Sequence, residues 1–298
     1  AFYEKQNIEV KTSTSVTAIN PQNSTIRIDD REDLSFKHLL IATGSRVRKI
    51  NVSGSELNNI HYLRTIKDVD QIRSGMAKGK KLVIVGGGYI GLEVAAIATQ
   101  AGMDVRVLET EDRVLQRVTT PTMSNYYTRL HEKRGVRIHT KTRVIGFEGK
   151  SVVERVVCDN NVFDADLVIV GIGIIPNSEL AEKAGIACEN GITVDERCQT
   201  SIPRIYAAGD CTNHPNPLLN RRLRLESVPN AMEQARVCAA NMVGKDKIYS
   251  SIPWFWSDQY ELKLQMVGFS SDGDSEVVRG DMDANQFSVF HVKENKVM

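Results

Sequence analysis

Six residues, Gly86-Gly87-Gly88-Tyr89-Ile90-Gly91, carry the sharpest chemical signal in the chain, because they stand between an apolar run at 81–85 and a helical pattern. In that setting Gly86 permits a tight turn, Gly88 lets a pyrophosphate approach the backbone, and Gly91 lets the helix pack closely on the strand. The phosphates would sit at the helix N-terminus, where free N–H groups and the helix dipole favour anions. Eighteen residues past Gly91, at the end of the next apolar run, Glu109 is placed to accept a hydrogen bond from a ribose 2′-hydroxyl. A carboxylate there repels a 2′-phosphate, so NADH is expected over NADPH. Arg113 complicates this, since a guanidinium can welcome a phosphate. We read it instead as a solvated surface charge or an adenine contact.

Three further motifs put glycine at the end of an apolar run: Ile41-Ala42-Thr43-Gly44, Gly171-Ile172-Gly173 with Pro176-Asn177, and Tyr206-Ala207-Ala208-Gly209-Asp210. Ligands of open α/β sheets bind at such strand ends, although each motif alone reads as a tight turn. Asp210 is sharper, since it could accept hydrogen bonds from a polyol or cap a helix. Arg221, Arg222 and Arg224 precede the turn at 227–230 and Arg236 follows it. On their own they read as a solvated loop. The five cysteines, Cys158, Cys188, Cys198, Cys211 and Cys238, show no C-x-x-C spacing, which disfavours a dithiol redox centre or a structural zinc site. The six histidines show no i, i+4 pairing, and no metal is expected.

The elements that must position these residues read as α/β. Residues 36–42 and 81–85 are nearly continuous apolar runs, the pattern of parallel strands buried on both faces. Helices are expected over 68–77, 92–101, 120–133 (Thr120 as N-cap, Pro121 at N1), 177–185 (capped by Asn177) and 228–242. Short antiparallel strands are expected within 7–20 and at 25–29, joined by the turn residues 20–24, and the pattern becomes aromatic and β-like from Trp254. Helices alternating with buried strands between β-meanders indicate two or more domains. With 38 basic and 37 acidic residues, the chain lacks the charge of a nucleic-acid-coating surface. No apolar run reaches the roughly 18 residues of a membrane span.

The motifs ATG, GGGYIGLE, GIGIIPN, AAGD, ESVPNAMEQAR and PWFWSDQYELKLQMVG occur in an order and spacing that resemble the flavin-dependent ferredoxin–NAD reductases of bacterial oxygenase systems, over the entire chain. The resemblance implies a glutathione-reductase-like α/β fold, in which an FAD-binding domain is interrupted by an NAD-binding Rossmann-type domain and followed by a β-rich interface domain. It assigns 1–67 and 191–250 to FAD binding, 68–190 to NAD binding and 251–298 to part of the interface domain. By matching motifs, Val16, Thr43, Gly44, Arg64, Gly209, Asp210, Val228 and Trp256 would contact FAD. Gly86, Gly88, Tyr89, Ile90, Gly91, Glu93, Glu109, Arg113, Gly171, Ile172 and Gly173 would line the NADH site. Glu93 and Trp256 would form the nicotinamide and flavin environment, with no acid–base dyad. From the sequence alone, Glu93 reads as a helix-surface residue and Trp256 as a core aromatic.

The implied reaction passes electrons from NADH through FAD to a 2Fe–2S ferredoxin, which feeds an oxygenase such as a cytochrome P450 or a ring-hydroxylating dioxygenase. Arg221, Arg222, Arg224 and Arg236 would then form the docking face. A cytoplasmic location is implied, with neither nucleic acid nor membrane as partner. Family members carry two glycine fingerprints, the first ahead of the ATG strand, whereas only the one at 86–91 occurs here. The chain is therefore expected to be an internal fragment, incomplete in its FAD and interface domains and holding FAD weakly or not at all. The alternative is a nucleotide-binding module without reductase activity, similar to the apoptosis-inducing-factor branch, or an inactive fragment that binds NADH only.

Overall fold

A computed structural model of the chain describes residues 2–217, 219–269 and 275–298. They form two compact units, one of Ala1–Ser45 and Pro176–Pro253, the other of Arg46–Ile175 and Trp254–Met298.

The second unit is built on a five-stranded parallel sheet in the order Ile60–Tyr62, Leu167–Val170, Lys81–Val85, Asp104–Leu108, Arg137–His139. Strands Leu167–Val170 and Lys81–Val85 are apolar almost throughout, as suits strands covered on both faces. Leu82, Ile84, Val105, Val107, Leu167 and Ile169 face a core shared with Leu92, Ala95 and Ala98 of helix Tyr89–Gln100 and with Tyr126 and Tyr127 of helix Pro121–Lys133. Val83, Val85, Leu108, Val168 and Val170 face the opposite core, closed by Phe147, Val156 and Phe163 of an antiparallel sheet. Residues 46–67, assigned by sequence to the first FAD segment, supply the edge strand Ile60–Tyr62 of this sheet. The hairpin of Trp254–Gln259 and Leu262–Val267 and the strands Ser275–Asp281 and Gln286–Lys293 complete the unit, with Leu262, Leu264, Phe287 and Val289 packed on the helix-side core.

In the first unit, Leu39–Ile41 pairs in parallel with Ile205–Ala207, the arrangement its apolar run called for. Helix Val228–Met242 starts from Ser227, whose side chain accepts a hydrogen bond from Asn230 N–H. The turn at 20–24 closes a hairpin of Val16–Asn20 and Thr25–Ile28. Ile8 and Val10, however, lie outside any strand and are about half exposed (49% and 52%). Alternation makes a strand only where a partner supplies the ladder and a core takes the apolar face.

Two caps differ from expectation. Asn177 does not cap the following helix, which runs Glu179–Lys183 from Ser178. Its amide instead donates to Thr43 O at 2.9 Å, a long-range partner that local sequence cannot reveal. Thr120 occupies the N-cap of Pro121–Lys133 but makes no side-chain cap bond. Cys158, Cys198, Cys211 and Cys238 are buried and free. Burial pushes the Cys158 thiol up to about 11, so it is protonated at neutral pH. No described helix is long and apolar enough to cross a membrane.

His214, on strand Thr212–Asn216, is fully buried beside the edge of Tyr249 (ring centroids 5.0 Å apart), and neither ring nitrogen has a hydrogen-bond partner among the described residues. Burial, and secondarily the Arg222 charge, push its pKa down from 6.5 to about 4. The folded state therefore holds His214 neutral, and this contributes stability above pH 6.5 that is lost as the pH falls through 4. Urea unfolding should show a loss of about 3 kcal/mol from this residue between pH 7 and pH 4. His214→Phe, which takes up no proton, should show a correspondingly smaller loss, and an equal loss would contradict the assignment.

Candidate functional site

The glycine segment lies at the carboxyl end of the parallel sheet, between strand Lys81–Val85 and helix Tyr89–Gln100. Gly86 has φ +110°, and its N–H donates to Leu108 O at 2.8 Å. A β-carbon on Gly91 would lie 2.1 Å from Gly86 O, so only glycine allows the helix this close to the strand. Gly88 is the N-cap, with no side-chain cap bond. A β-carbon there would meet nothing within 4 Å, which leaves the helix N–H groups open to a ligand. The residues thus fit a nucleotide diphosphate at this terminus.

Glu109 ends the neighbouring strand, where the spacing placed it. One carboxylate oxygen accepts Gly87 N–H at 2.7 Å and the other accepts Glu111 N–H at 3.0 Å. The sequence reading assigned no role to Gly87. A β-carbon there would lie 2.9 Å from Val114 Cγ1 and 3.1 Å from Glu109 Oε2, so its lack of a side chain is what seats the carboxylate. Gly171 joins the group, its N–H donating to Val85 O at 2.8 Å, and Gly173 follows with φ +100°. Arg113 is not a free surface charge. Its guanidinium donates to Ser124 Oγ at 2.5 Å and to Gln116 O at 3.2 Å, which turns it toward helix Pro121–Lys133. Arg117, absent from the sequence candidates, brings Nη1 to 3.8 Å from where a Gly173 β-carbon would stand.

Glu93 lies one turn into the fingerprint helix and is not a solvated surface residue. Its Oε1 accepts the Ser257 hydroxyl at 2.6 Å, and Ser257 is fully buried. Burial raises the Glu93 pKa above the usual carboxylate range, with the Ser257 bond opposing the rise. Alternation along Trp254–Gln259 puts Phe255, Ser257 and Gln259 on the inner face and Trp254 and Trp256 outside. Trp256 is therefore 44% exposed, its ring 5.4 Å from that of Trp254, and it is not a core aromatic. Tyr89 packs edge-on against Phe255, so the hairpin braces the start of the helix.

In the first unit the structure gathers the other strand-end motifs. Thr43 Oγ1 donates to Asn177 O at 2.6 Å, and Asn177 N–H donates to Gly44 O at 2.9 Å. Ser45 Oγ donates to Asp210 Oδ2 at 2.8 Å. Gly209, with φ +86°, donates its N–H to the buried Gln234 carboxamide at 2.8 Å. An acid held at paired strand ends fits the polyol chain of a flavin nucleotide. The single glycine fingerprint of the 298 residues lies in the other unit, as do Arg64 and Trp256. Val16 and Val228 are exposed, at 40% and 57%.

Of the four arginines, two are structural. Arg222 donates to Asn213 Oδ1 at 3.2 Å and Val194 O at 2.7 Å, and Arg224 pairs with Glu226 at 2.6 Å and bonds Asn190 Oδ1 at 3.1 Å. They fasten strand Arg221–Leu223 rather than forming a solvated loop. Arg236 is exposed and pairs with Glu233. Among the described residues, no three His, Cys, Asp or Glu side chains gather as a metal site needs.

Residues 2–235 match the pyridine nucleotide-disulphide oxidoreductases, and residues 254–298 match the reductase C-terminal family. The chain belongs to the pyridine nucleotide-disulphide oxidoreductases. It is 46% identical to putidaredoxin reductase of Pseudomonas putida, over 99% of this chain and 72% of that protein. It is 42% identical to the ferredoxin–NAD(+) reductase component of the anthranilate 1,2-dioxygenase system of Burkholderia cepacia, over 97% of this chain and 72% of that one. The crystal structure of a covalent putidaredoxin reductase–putidaredoxin complex superposes with a TM-score of 0.96 at 46% identity, covering 99% of this chain and 73% of that one.

Glu109 pins Gly87, and the fingerprint spacing assigns it the ribose hydroxyl, so its loss should act twice. NADH should bind about two orders of magnitude more tightly than NADPH. Glu109→Ala should weaken NADH by roughly 10–100-fold while narrowing the preference. Titrating both nucleotides against both proteins checks this, and equal affinities in the unaltered protein would remove the assignment.

Proposed function

We propose that this chain takes hydride from NADH and, through FAD, delivers single electrons to a small 2Fe–2S ferredoxin that serves an oxygenase. The observation that carries the reading is the intact fingerprint geometry within a chain similar, along nearly its entire length, to a putidaredoxin reductase and a dioxygenase-system reductase. FAD, when bound, supplies the exchange between two-electron and one-electron chemistry.

The residues of the chain bind and orient. The helix N–H groups beyond Gly88 hold the NADH diphosphate, with Gly171, Ile172 and Gly173 beside it and Ile90 at the exposed edge. Glu109 selects the 2′-hydroxyl, and Glu93 stands at the nicotinamide end. Thr43, Gly44, Gly209 and Asp210 hold the ribityl chain of FAD, with Val16 and Val228 as further contacts. No acid–base dyad is required, because hydride and electron transfer call on positioning rather than on a side-chain nucleophile. We place the protein in the cytoplasm, where NADH is available and free thiols persist.

We place ferredoxin docking at the exposed Arg221 and Arg236, while Arg222 and Arg224 fasten strand Arg221–Leu223. Opposite charge raises association rates about 10–10³-fold and leaves a small diffusing acceptor untouched. Arg236→Glu should slow ferredoxin reduction roughly 10-fold or more at low ionic strength, with ferricyanide reduction unchanged. Arg222→Glu should impair both acceptors through the strand. Equal losses in Arg236→Glu would place docking elsewhere. The proposed activity itself is tested by the visible spectrum of the FAD-loaded protein, whose flavin bands should bleach on addition of NADH. A protein that binds NADH without bleaching would overturn it.

A further inference from the structure

Behind Glu93 the second unit holds a chain of hydrogen-bonded polar groups. Ser257 Oγ meets Glu93 Oε1 at 2.6 Å, Gln259 Nε2 meets Ser257 Oγ at 3.1 Å, Gln259 Oε1 meets His131 Nε2 at 2.8 Å, and His131 Nδ1 meets the Tyr260 hydroxyl at 3.1 Å. Ser257, Gln259 and His131 are fully buried. Beyond them the Thr99 hydroxyl bonds the Tyr260 hydroxyl and itself donates to Ala95 O. Three elements supply the links: helix Tyr89–Gln100, helix Pro121–Lys133 and strand Trp254–Gln259 with its turn.

Every link joins groups that can act only in certain directions. With Glu93 ionised, the carboxylate only accepts. Ser257 must then donate to it, Gln259 N–H to Ser257, His131 Nε2–H to Gln259 O, and Tyr260 O–H to the bare Nδ1. With Glu93 protonated and donating to Ser257, the chain can run the other way. Ser257 then donates to Gln259 O after the amide rotates, Gln259 N–H donates to a bare His131 Nε2, Nδ1–H donates to Tyr260, and Tyr260 donates to Thr99. The net uptake is one proton, at Glu93, and every other group keeps its proton count. A carboxamide does not pass protons along, so this chain orients rather than conducts.

We propose that the ionisation of Glu93 and the tautomer of His131 are the two ends of one hydrogen-bond switch, in which Ser257, Gln259 and His131 are positioning residues for Glu93. Burial lowers the His131 pKa and so favours the neutral imidazole. The charged and titratable groups facing the network are Asp258, whose N–H also bonds Glu93; Tyr89 and Tyr127; and the Arg134–Glu261 pair, with Arg134 stacked 4.8 Å over the Tyr260 ring. The functional consequence rests on the proposed place of Glu93 at the nicotinamide. A carboxylate there favours cationic NAD(+) over NADH, and protonation removes that preference.

The test is nuclear magnetic resonance of the FAD-loaded protein with isotopically labelled histidine, His131 being assigned by comparison with His131→Gln. As the pH falls through the Glu93 titration, the pyrrole-like nitrogen of His131 should change from Nε2 to Nδ1 without an imidazolium signal. In Ser257→Ala, which removes the link between the carboxylate and Gln259, the His131 tautomer should no longer follow the Glu93 titration. In Glu93→Gln the tautomer should not respond to pH, and in Gln259→Leu it should not follow Glu93. An invariant tautomer in the unaltered protein, or the same change in Glu93→Gln, overturns the switch. The ratio of NAD(+) to NADH affinity is read separately. If the tautomer changes while that ratio holds constant, the switch stands and the nicotinamide placement of Glu93 fails.

Discussion

The approach of helix Tyr89–Gln100 to strand Lys81–Val85 governs the second unit. At Gly91 the two are so close that a single added carbon would stand 2.1 Å from the Gly86 carbonyl oxygen. A larger residue would push the helix off the sheet. The small residues that follow, Ala95 and Ala98, are fully buried and keep the approach close along the helix. From this contact follow the aim of the helix N-terminus at the strand ends, the seat of Glu109 on Gly87, and the placement of Glu93 beneath Ser257. The site is a consequence of packing before it is a set of side chains.

Where strands end, backbone groups lose their ladder partners, and polar side chains take over. Glu109 receives Gly87 N–H, Gln234 receives Gly209 N–H, and the Asn177 amide reaches Thr43 O. Each fastening lies where the chain turns away from a sheet, which is also where ligands of α/β folds bind. Rigidity at a binding edge and satisfaction of buried donors thus come from the same residues. Glu93 extends the pattern, since its partner Ser257 comes from a hairpin more than 150 residues downstream.

A net charge of +1 conceals a surface of many short-range pairs, such as Lys81–Asp164, Arg155–Glu148 and Arg197–Asp246. Exposed pairs of this kind contribute about 0–1 kcal/mol each. They hold strand ends and turns in register more than they stabilise the fold. Arg222, bonded to Val194 O and Asn213, shows how an arginine that looks like part of a basic patch in one dimension becomes a brace in three.

The sequence by itself determined the elements whose signals are local. The parallel strand at 81–85, the fingerprint turn, the helix from Val228 to Met242 and the hairpin at 20–24 all formed where periodicity, glycine and proline placed them, because one covered face or one required backbone angle sufficed. Glu109 was legible for the same reason, since strand and turn lengths set its spacing. Tertiary structure alone decided which groups meet across long separations. Asn177 looked like a cap and binds Thr43, and Trp256 looked like core and faces outward. Ser257, Gln259 and His131 carried no mark beyond two polar residues on the inner face of an aromatic strand. Periodicity records whether a face is buried, whereas the partner of a buried polar atom is chosen only when distant segments pack together.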